Sequence, residues 1–309
     1  MRLESPSISN EAVADFSVAA QDRVPTFHLD GPTRSLDRRV NAYRADIADL
    51  ALAGTLFAPH YAAPMARGCQ DNAAMMRSAA SASSEAVSQL LGGEGFALLD
   101  ILGDWAWGYS VHDHYVGYIE AAALGPPIVP THRITAREAL VFAEASIKSP
   151  KLATLPFGAL VSGNEQGSFL ATGAGFVHRR HVGRIDQLAS DPVAVAEQLI
   201  GMPYLWGGRG ADGIDCSGLV QIALAAAGMS CPRDTDQIRA QCGRDIPEDA
   251  PLRRGDVISF PGHVGLMVDA ERLIHANAHW MAVTIEPLAD VVARLAPHHD
   301  RPILARRRL

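Results

Sequence analysis

Through about residue 185 the apolar residues of this chain come in short aromatic and β-branched runs, cut by glycine and aspartate turns about every eight to twelve residues, a rhythm that argues for small barrels. The clearest runs are Phe96-Ala97-Leu98-Leu99, Trp105-Ala106-Trp107-Gly108-Tyr109 and Tyr115-Val116-Gly117-Tyr118-Ile119. Past Pro126-Pro127 a second set follows, through residues 155–161, 167–171 and 175–178. At Asp191-Pro192 the period changes: Pro192 suits a first helical turn, and Val195, Ala196, Leu199 and Ile200 recur at helical spacing. A Gly-rich loop, Tyr204-Leu205-Trp206-Gly207-Gly208-Arg209-Gly210, and a helical run over 219–227 come next, and strands resume after Arg254-Gly255-Asp256. The expected architecture is an α+β C-terminal domain, helices packed on an antiparallel sheet, preceded by two small all-β barrels. We divide it as residues 1–56, an arm partly disordered with a short helix over 44–56; 57–126, the first barrel; 127–185, the second; and 186–309, the α+β domain.

Composition narrows the class of function. A formal net charge of −7 with scattered basic residues argues against a nucleic-acid partner, and Arg306-Arg307-Arg308 reads as a solvated end. The four cysteines, Cys69, Cys216, Cys231 and Cys242, are too few and too irregular for a disulfide framework or a zinc site. The histidine pairs His112/His114, His178/His181 and His298-His299 lack companion carboxylates or thiols, so no metal is expected, and no cofactor. Gly207-Gly208-Arg209-Gly210 lacks the Lys-Ser/Thr ending of a phosphate loop. With no secretion signal and no apolar run long enough to span a bilayer, a cytoplasmic location is expected, or the periplasm or cell wall if a leader has been removed. The oligomeric state is open.

One cysteine stands apart. In Asp215-Cys216-Ser217-Gly218-Leu219-Val220 the thiol sits at the mouth of a helix, where the macrodipole and unpaired backbone N–H groups favour the thiolate. Downstream, His263 opens one strand and His275 lies on the next, joined by a turn. A thiol, a histidine base and a group to orient it make a cysteine nucleophile. His263 is then the base, forming a thiolate–imidazolium pair with Cys216, and His275 a neutral orienter acting mainly through geometry. Cys69, Cys231 and Cys242 read as buried structural cysteines.

Pro203-Tyr204-Leu205-Trp206-Gly207-Gly208, Asp215-Cys216-Ser217-Gly218-Leu219-Val220, Arg254-Gly255-Asp256, Gly262-His263-Val264-Gly265 and Ile274-His275-Ala276 together resemble the NlpC-type (NlpC/p60), papain-like cell-wall cysteine peptidases. The resemblance implies a Cys216, His263, His275 triad. Ser88-Gln89-Leu90-Leu91-Gly92-Gly93-Glu94, Asp104-Trp105-Ala106 and Asp113-His114-Tyr115-Val116-Gly117-Tyr118 resemble the bacterial SH3-like domains of one branch of that family. That branch consists of γ-D-glutamyl-L-diamino acid endopeptidases, which cut L-Ala-γ-D-Glu from meso-diaminopimelate or lysine in murein peptides with a free N-terminal L-Ala. The resemblance implies that Glu94 and Tyr115, with Tyr118 a possible substitute, hold the L-Ala ammonium together with Asp234 of Arg233-Asp234-Thr235. Thr235 would hold the γ-D-Glu carboxylate, and Tyr204 and Ser217 would also contact substrate. The function so implied is a thiol peptidase in murein peptide recycling, needing neither nucleic acid nor membrane. The alternatives are an exported hydrolase of intact peptidoglycan and a non-catalytic SH3-like binding protein. Gly92-Gly93 and the Ala/Ser-rich stretch 71–85 depart from the family pattern.

Overall fold

Alternation along the strands sorts the first barrel's residues into inside and outside. The computed structural model describes residues 35–309, and seven strands between Met65 and Gly125 form one antiparallel sheet in it. Met76, Leu90, Phe96, Leu98, Ala106 and Ile119 point inward and are buried together. The Ala/Ser-rich stretch therefore holds a true strand, Ala73–Arg77, with Met76 in the core. A second all-β unit follows, a three-stranded sheet centred on His132–Ile134 and a five-stranded sheet running from Lys151–Pro156 to Gly163–Gln166. Ile134, Val141, Leu155, Leu170 and Val177 fill its interior.

Gly92-Gly93 has a physical reason. Gly93 takes φ +76°, and a Cβ there would stand 2.1 Å from the Leu160 carbonyl oxygen of the second unit. Only a glycine allows that approach. Leu160 also donates its N–H to the Gly92 carbonyl at 2.8 Å, so this turn joins the two β units.

The helix expected over 44–56 does not form. Ile47–Asp49 is a strand paired in parallel with His60–Ala62, followed by a single 3₁₀ turn, Leu50–Leu52. The Asp49 carboxylate caps that turn at the Ala51 N–H, and Ala42, Ile47 and Ala62 pack with Leu99 and Trp107. Extended backbone thus buries the apolar residues that a helix would have spread around its circumference. The disorder expected for the beginning of the arm falls on residues 1–34, outside the described ones.

The C-terminal part holds four helices, α1 (Pro192–Glu197), α2 (Cys216–Ala226), α3 (Thr235–Gln241) and α4 (Leu288–Leu295), around a six-stranded antiparallel sheet. Strand order is Arg244–Asp245, Ala305–Arg308, Val257–Phe260, His263–Met267, Arg272–Asn277, Ala282–Pro287. The tail arginines 306–308 are therefore part of a strand rather than a solvated end. α2 packs against Val264, Leu266, Ile274 and Ala276 on one face, and α4 lies with Phe260, Met267 and Leu273 on the other. Among the described residues no helix is long and apolar enough to cross a membrane.

Candidate active site

The position of Cys216 follows from its cap. Asp215 adopts an extended conformation and its Oδ1 accepts from the Gly218 N–H at 2.7 Å, starting α2 at Cys216. The same carboxylate accepts from the Gly207 N–H at 2.9 Å, which draws the Gly-rich loop beside the helix start. Arg233, fully buried, donates to both Asp215 oxygens, at 2.9 and 2.6 Å, and to Ser217 Oγ at 2.7 Å. Ser217 is therefore engaged by protein on the groove's lining rather than held free for a substrate.

Strand register places the histidines. Pro261-Gly262 is a two-residue turn between the paired residues Phe260 and His263, and Gly262 supplies the φ of +65° that the turn requires. With Leu266 opposite Ile274, His263 and His275 fall diagonally on one face; with His275 opposite Thr284, Glu286 is the next diagonal residue on that face. The side chains meet accordingly: His263 Nε2 lies 2.7 Å from His275 Nδ1, and His275 Nε2 lies 2.7 Å from Glu286 Oε1. Arg294 of α4 donates to both Glu286 oxygens, and Trp280 Nε1 donates at 3.3 Å.

Donor and acceptor rules then fix the protons. Burial acts to raise Glu286, but Arg294, Trp280 and His275 bring it down to about 2, so it is an ionised acceptor. His275 must donate from Nε2 and accept at Nδ1, and His263 must donate from Nε2, which leaves the lone pair of a neutral His263 on Nδ1. The expectation that His275 lacks carboxylate support is thereby corrected. The expected ion pair is corrected too. Burial first, then the Asp215 charge, push the Cys216 thiol up to about 12, only partly offset by the Val264 N–H. Burial and repulsion from His275 bring His263 down to about 3. Both directions favour the neutral thiol and the neutral imidazole.

Cys216 opens onto a groove of ≈ 420 Å³ also lined by Tyr115, Ser217, Asp234 and Thr235, which the sequence had singled out. Tyr115 Oη donates to Asp234 Oδ2 at 2.9 Å. Tyr118 instead packs on the Trp107 cluster, so Tyr115 is the groove tyrosine. Tyr204 is half-buried near Cys216 and Asp215, its hydroxyl pushed up chiefly by burial and further by the Asp215 charge. Glu94 is not in the groove. It is 8% exposed and held by Arg209, whose Nη1 and Nη2 donate to its two oxygens at 2.6 and 3.1 Å, and by the Leu91 N–H. An acid so enclosed is satisfied by the protein and has no room for a substrate ammonium. The groove's own acid on that wall is the exposed Glu85, which accepts from Trp206 Nε1 at 3.1 Å. Sequence reading missed Glu85, Arg39 and Glu286. Of the three only Glu286 leaves a signal, an acid on a strand that alternates with His275's neighbour. Cys231 and Cys242 are free and buried, 3.9 Å apart sulfur to sulfur. Among the described residues no cluster of three metal-ligating side chains occurs.

Residues 201–294 match the NlpC/P60 family, and residues 76–124 match the bacterial dipeptidyl-peptidase SH3 domain. The chain carries an NlpC/P60 domain. The chain is 31% identical over 112 residues to the gamma-D-glutamyl-L-lysine dipeptidyl-peptidase of Bacillus subtilis (strain 168), covering 34% of this chain and 37% of that protein. It is 29% identical over 177 residues to dipeptidyl-peptidase 6 of Lysinibacillus sphaericus, covering 52% and 65%. The matches thus span only part of the length of either relative. The crystal structure of an NlpC/P60 family protein from Bacillus cereus shares the fold, with a TM-score of 0.67 over 79% of this chain and 99% of that one at 18% identity.

Proposed function

We propose that the protein is a cysteine peptidase that cleaves the γ-D-glutamyl–diamino acid bond of murein peptides carrying a free N-terminal L-Ala, in recycling of cell-wall peptides. The observation that carries this reading is one groove lined by Cys216 and, elsewhere along it, by Glu85 and Asp234 beside Tyr115, with the Cys216 sulfur held by the Val264 N–H, next in sequence to the His263 that meets His275. A thiol at a helix start suits attack on an amide carbonyl, and carboxylates in a partly closed groove suit a primary ammonium. The two relatives support the reading: one is a gamma-D-glutamyl-L-lysine dipeptidyl-peptidase, which bears on the bond, and the other a dipeptidyl-peptidase, which bears on release of a dipeptide.

In this reading His263 Nδ1 takes the Cys216 proton as the sulfur attacks the γ-carbonyl carbon, rather than beforehand. Backbone N–H groups at the start of α2 stabilise the oxyanion. His263 then gives its proton to the leaving amine, the C–N bond breaks, and the acyl group stays on sulfur. Water, deprotonated by His263, releases the dipeptide and regenerates the thiol. Glu286 steadies the positive charge that passes through His263, relayed by His275. Tyr115 and Asp234, with Glu85 in the place the sequence had given to Glu94, hold the ammonium; Thr235 holds the γ-D-Glu carboxylate.

The test is mass spectrometry of L-Ala-γ-D-Glu-meso-diaminopimelate incubated with the protein, beside the N-acetylated peptide and a Cys216→Ala control. The expected result is cleavage of the free-amine peptide alone, lost by at least about 10³-fold in the control. Equal cleavage of both peptides would keep the peptidase and remove the ammonium site and the recycling role. Cleavage of neither would favour a binding protein.

A further inference from the structure

We propose that Arg39 is a specificity-determining residue: with Asp37 it forms a strap that closes the amine end of the groove, so that a peptide extended beyond its free amine is refused. This rests on the peptidase reading above and goes beyond it, because residues 37–39 lie outside both matched family regions.

The strap is tied to both walls. Its backbone belongs to the barrel side, where the Arg39 carbonyl accepts from the Val116 N–H at 2.7 Å, one residue after Tyr115. Its side chains belong to the α3 side. Gln237 Nε2 donates to Asp37 Oδ2 at 3.1 Å, and Arg39 Nη1 donates to Asp234 Oδ2 and Asp236 Oδ1, each at 2.8 Å. Arg39 Nη2 adds Asp236 Oδ2 and Asp37 Oδ2, each at 2.8 Å. A segment anchored to one wall by its backbone and to the other by its guanidinium blocks the way between them.

Two details give the strap a use in recognition. Asp234 Oδ2 receives both Arg39 and Tyr115, so the carboxylate is held from two sides and a substrate ammonium meets Oδ1. Three carboxylates, Asp37, Asp234 and Asp236, surround one guanidinium, so this end stays net negative even with Arg39 in it and still attracts an ammonium. The Arg39 side chain is 38% exposed, and ion pairs that open to water contribute little to stability. Four charge-assisted hydrogen bonds from the Nη atoms of a groove-lining residue therefore serve position more than folding.

The experiment is steady-state hydrolysis of L-Ala-γ-D-Glu-meso-diaminopimelate and of the same peptide lengthened by a glycine at its amine, with wild-type protein, Arg39→Ala and Asp236→Asn. Wild type should cleave only the shorter peptide. Arg39→Ala should raise KM for the shorter peptide about 5–10-fold with kcat within about 2-fold, and should begin to cleave the longer one. Asp236→Asn, which loosens the strap while sparing Asp234, should shift both in the same direction by less. A variant that merely damages the groove loses the first peptide without gaining the second, and that result, in both variants, overturns the strap. Wild-type protein that cleaves the shorter peptide while Arg39→Ala behaves identically also overturns it, leaving the peptidase reading intact. Wild-type protein that cleaves neither overturns both.

Discussion

At the scale of single residues, Glu286 shows what a carboxylate behind a pair of buried histidines can do. It sets the tautomer of His275, which sets that of His263, through contacts of 2.7 Å at each step. Glu286→Gln keeps the size but loses the charge and the single-acceptor rule. We expect kcat to fall about 10–100-fold with KM within about 2-fold, and the imidazole ¹⁵N shifts of both histidines to show mixed tautomers. A purely structural role for Glu286 would leave those shifts unchanged in the folded variant. The buried imidazoles also predict acid lability. His263 is held down to about 3 against an ordinary value near 6.5, and His275 is lowered by burial against the opposing pull of Glu286. Between about 6.5 and 3 the unfolded chain binds a proton that folded His263 refuses, so stability is present above about pH 6.5 and is lost as pH falls, by up to about 1.4 kcal/mol per pH unit for His263, with His275 acting in the same direction. Arg294 and Glu286 face the pair, and Glu286, brought down to about 2, adds its own loss only below about 4.5. Urea titrations at pH 7, 6 and 5 should show this slope and show it reduced in His263→Gln; an unchanged slope would contradict the burial of a neutral imidazole.

At the scale of elements, the start of α2 depends on one carboxylate. Asp215 caps Gly218, anchors Gly207 and neutralises the buried Arg233. Asp215→Ala should cost about 3–5 kcal/mol in urea unfolding, because it strands a buried guanidinium. Removing Asp186, whose pairing with Arg184 is exposed, should cost no more than about 0.5 kcal/mol. A small loss for Asp215→Ala would mean that Ser217 and Ser88 suffice for Arg233. This element was legible in the sequence because its cues are local: an acidic cap, a glycine approach, an apolar run and a closing Gly228. The β units were legible for the same reason, since alternation and turn residues repeat along each strand. The segment 44–56 was misread because its few apolar residues fit either period, and only burial against Trp107 decided between them. Glu94 was misread because nothing local reveals that Arg209, 115 positions away, would claim it. Arg39 and Glu85 reach the groove only through tertiary placement, and so could not be read from spacing.

At the scale of the whole molecule, the first barrel and the NlpC/P60 domain are joined by polar groups removed from water. Arg209 reaches Glu94 and the Gln89 carbonyl, Arg233 reaches Ser88, and Gln221 donates to Asp113. Tyr115–Asp234 and Trp206–Glu85 add two contacts at the groove itself. In the proposed function the barrel does two jobs with two acids, and they separate experimentally. Glu94→Leu leaves Arg209 buried without its charge partner and should cost about 3–5 kcal/mol, while adding Arg209→Met should restore part of that loss, since a matched apolar pair avoids the stranded charge. At temperatures where the double variant is folded it should still prefer the free-amine peptide to its N-acetyl form, because Glu85, Asp234 and Tyr115 are untouched. Glu85→Gln should do the reverse: within about 0.5 kcal/mol of wild type in stability, as befits an exposed acid, but about 10-fold or more weaker in kcat/KM for the free-amine peptide alone. Should Glu94 variants lose amine discrimination while Glu85→Gln keeps it, the ammonium site would return to the buried acid, and the Arg209 pairing would have to open when substrate binds.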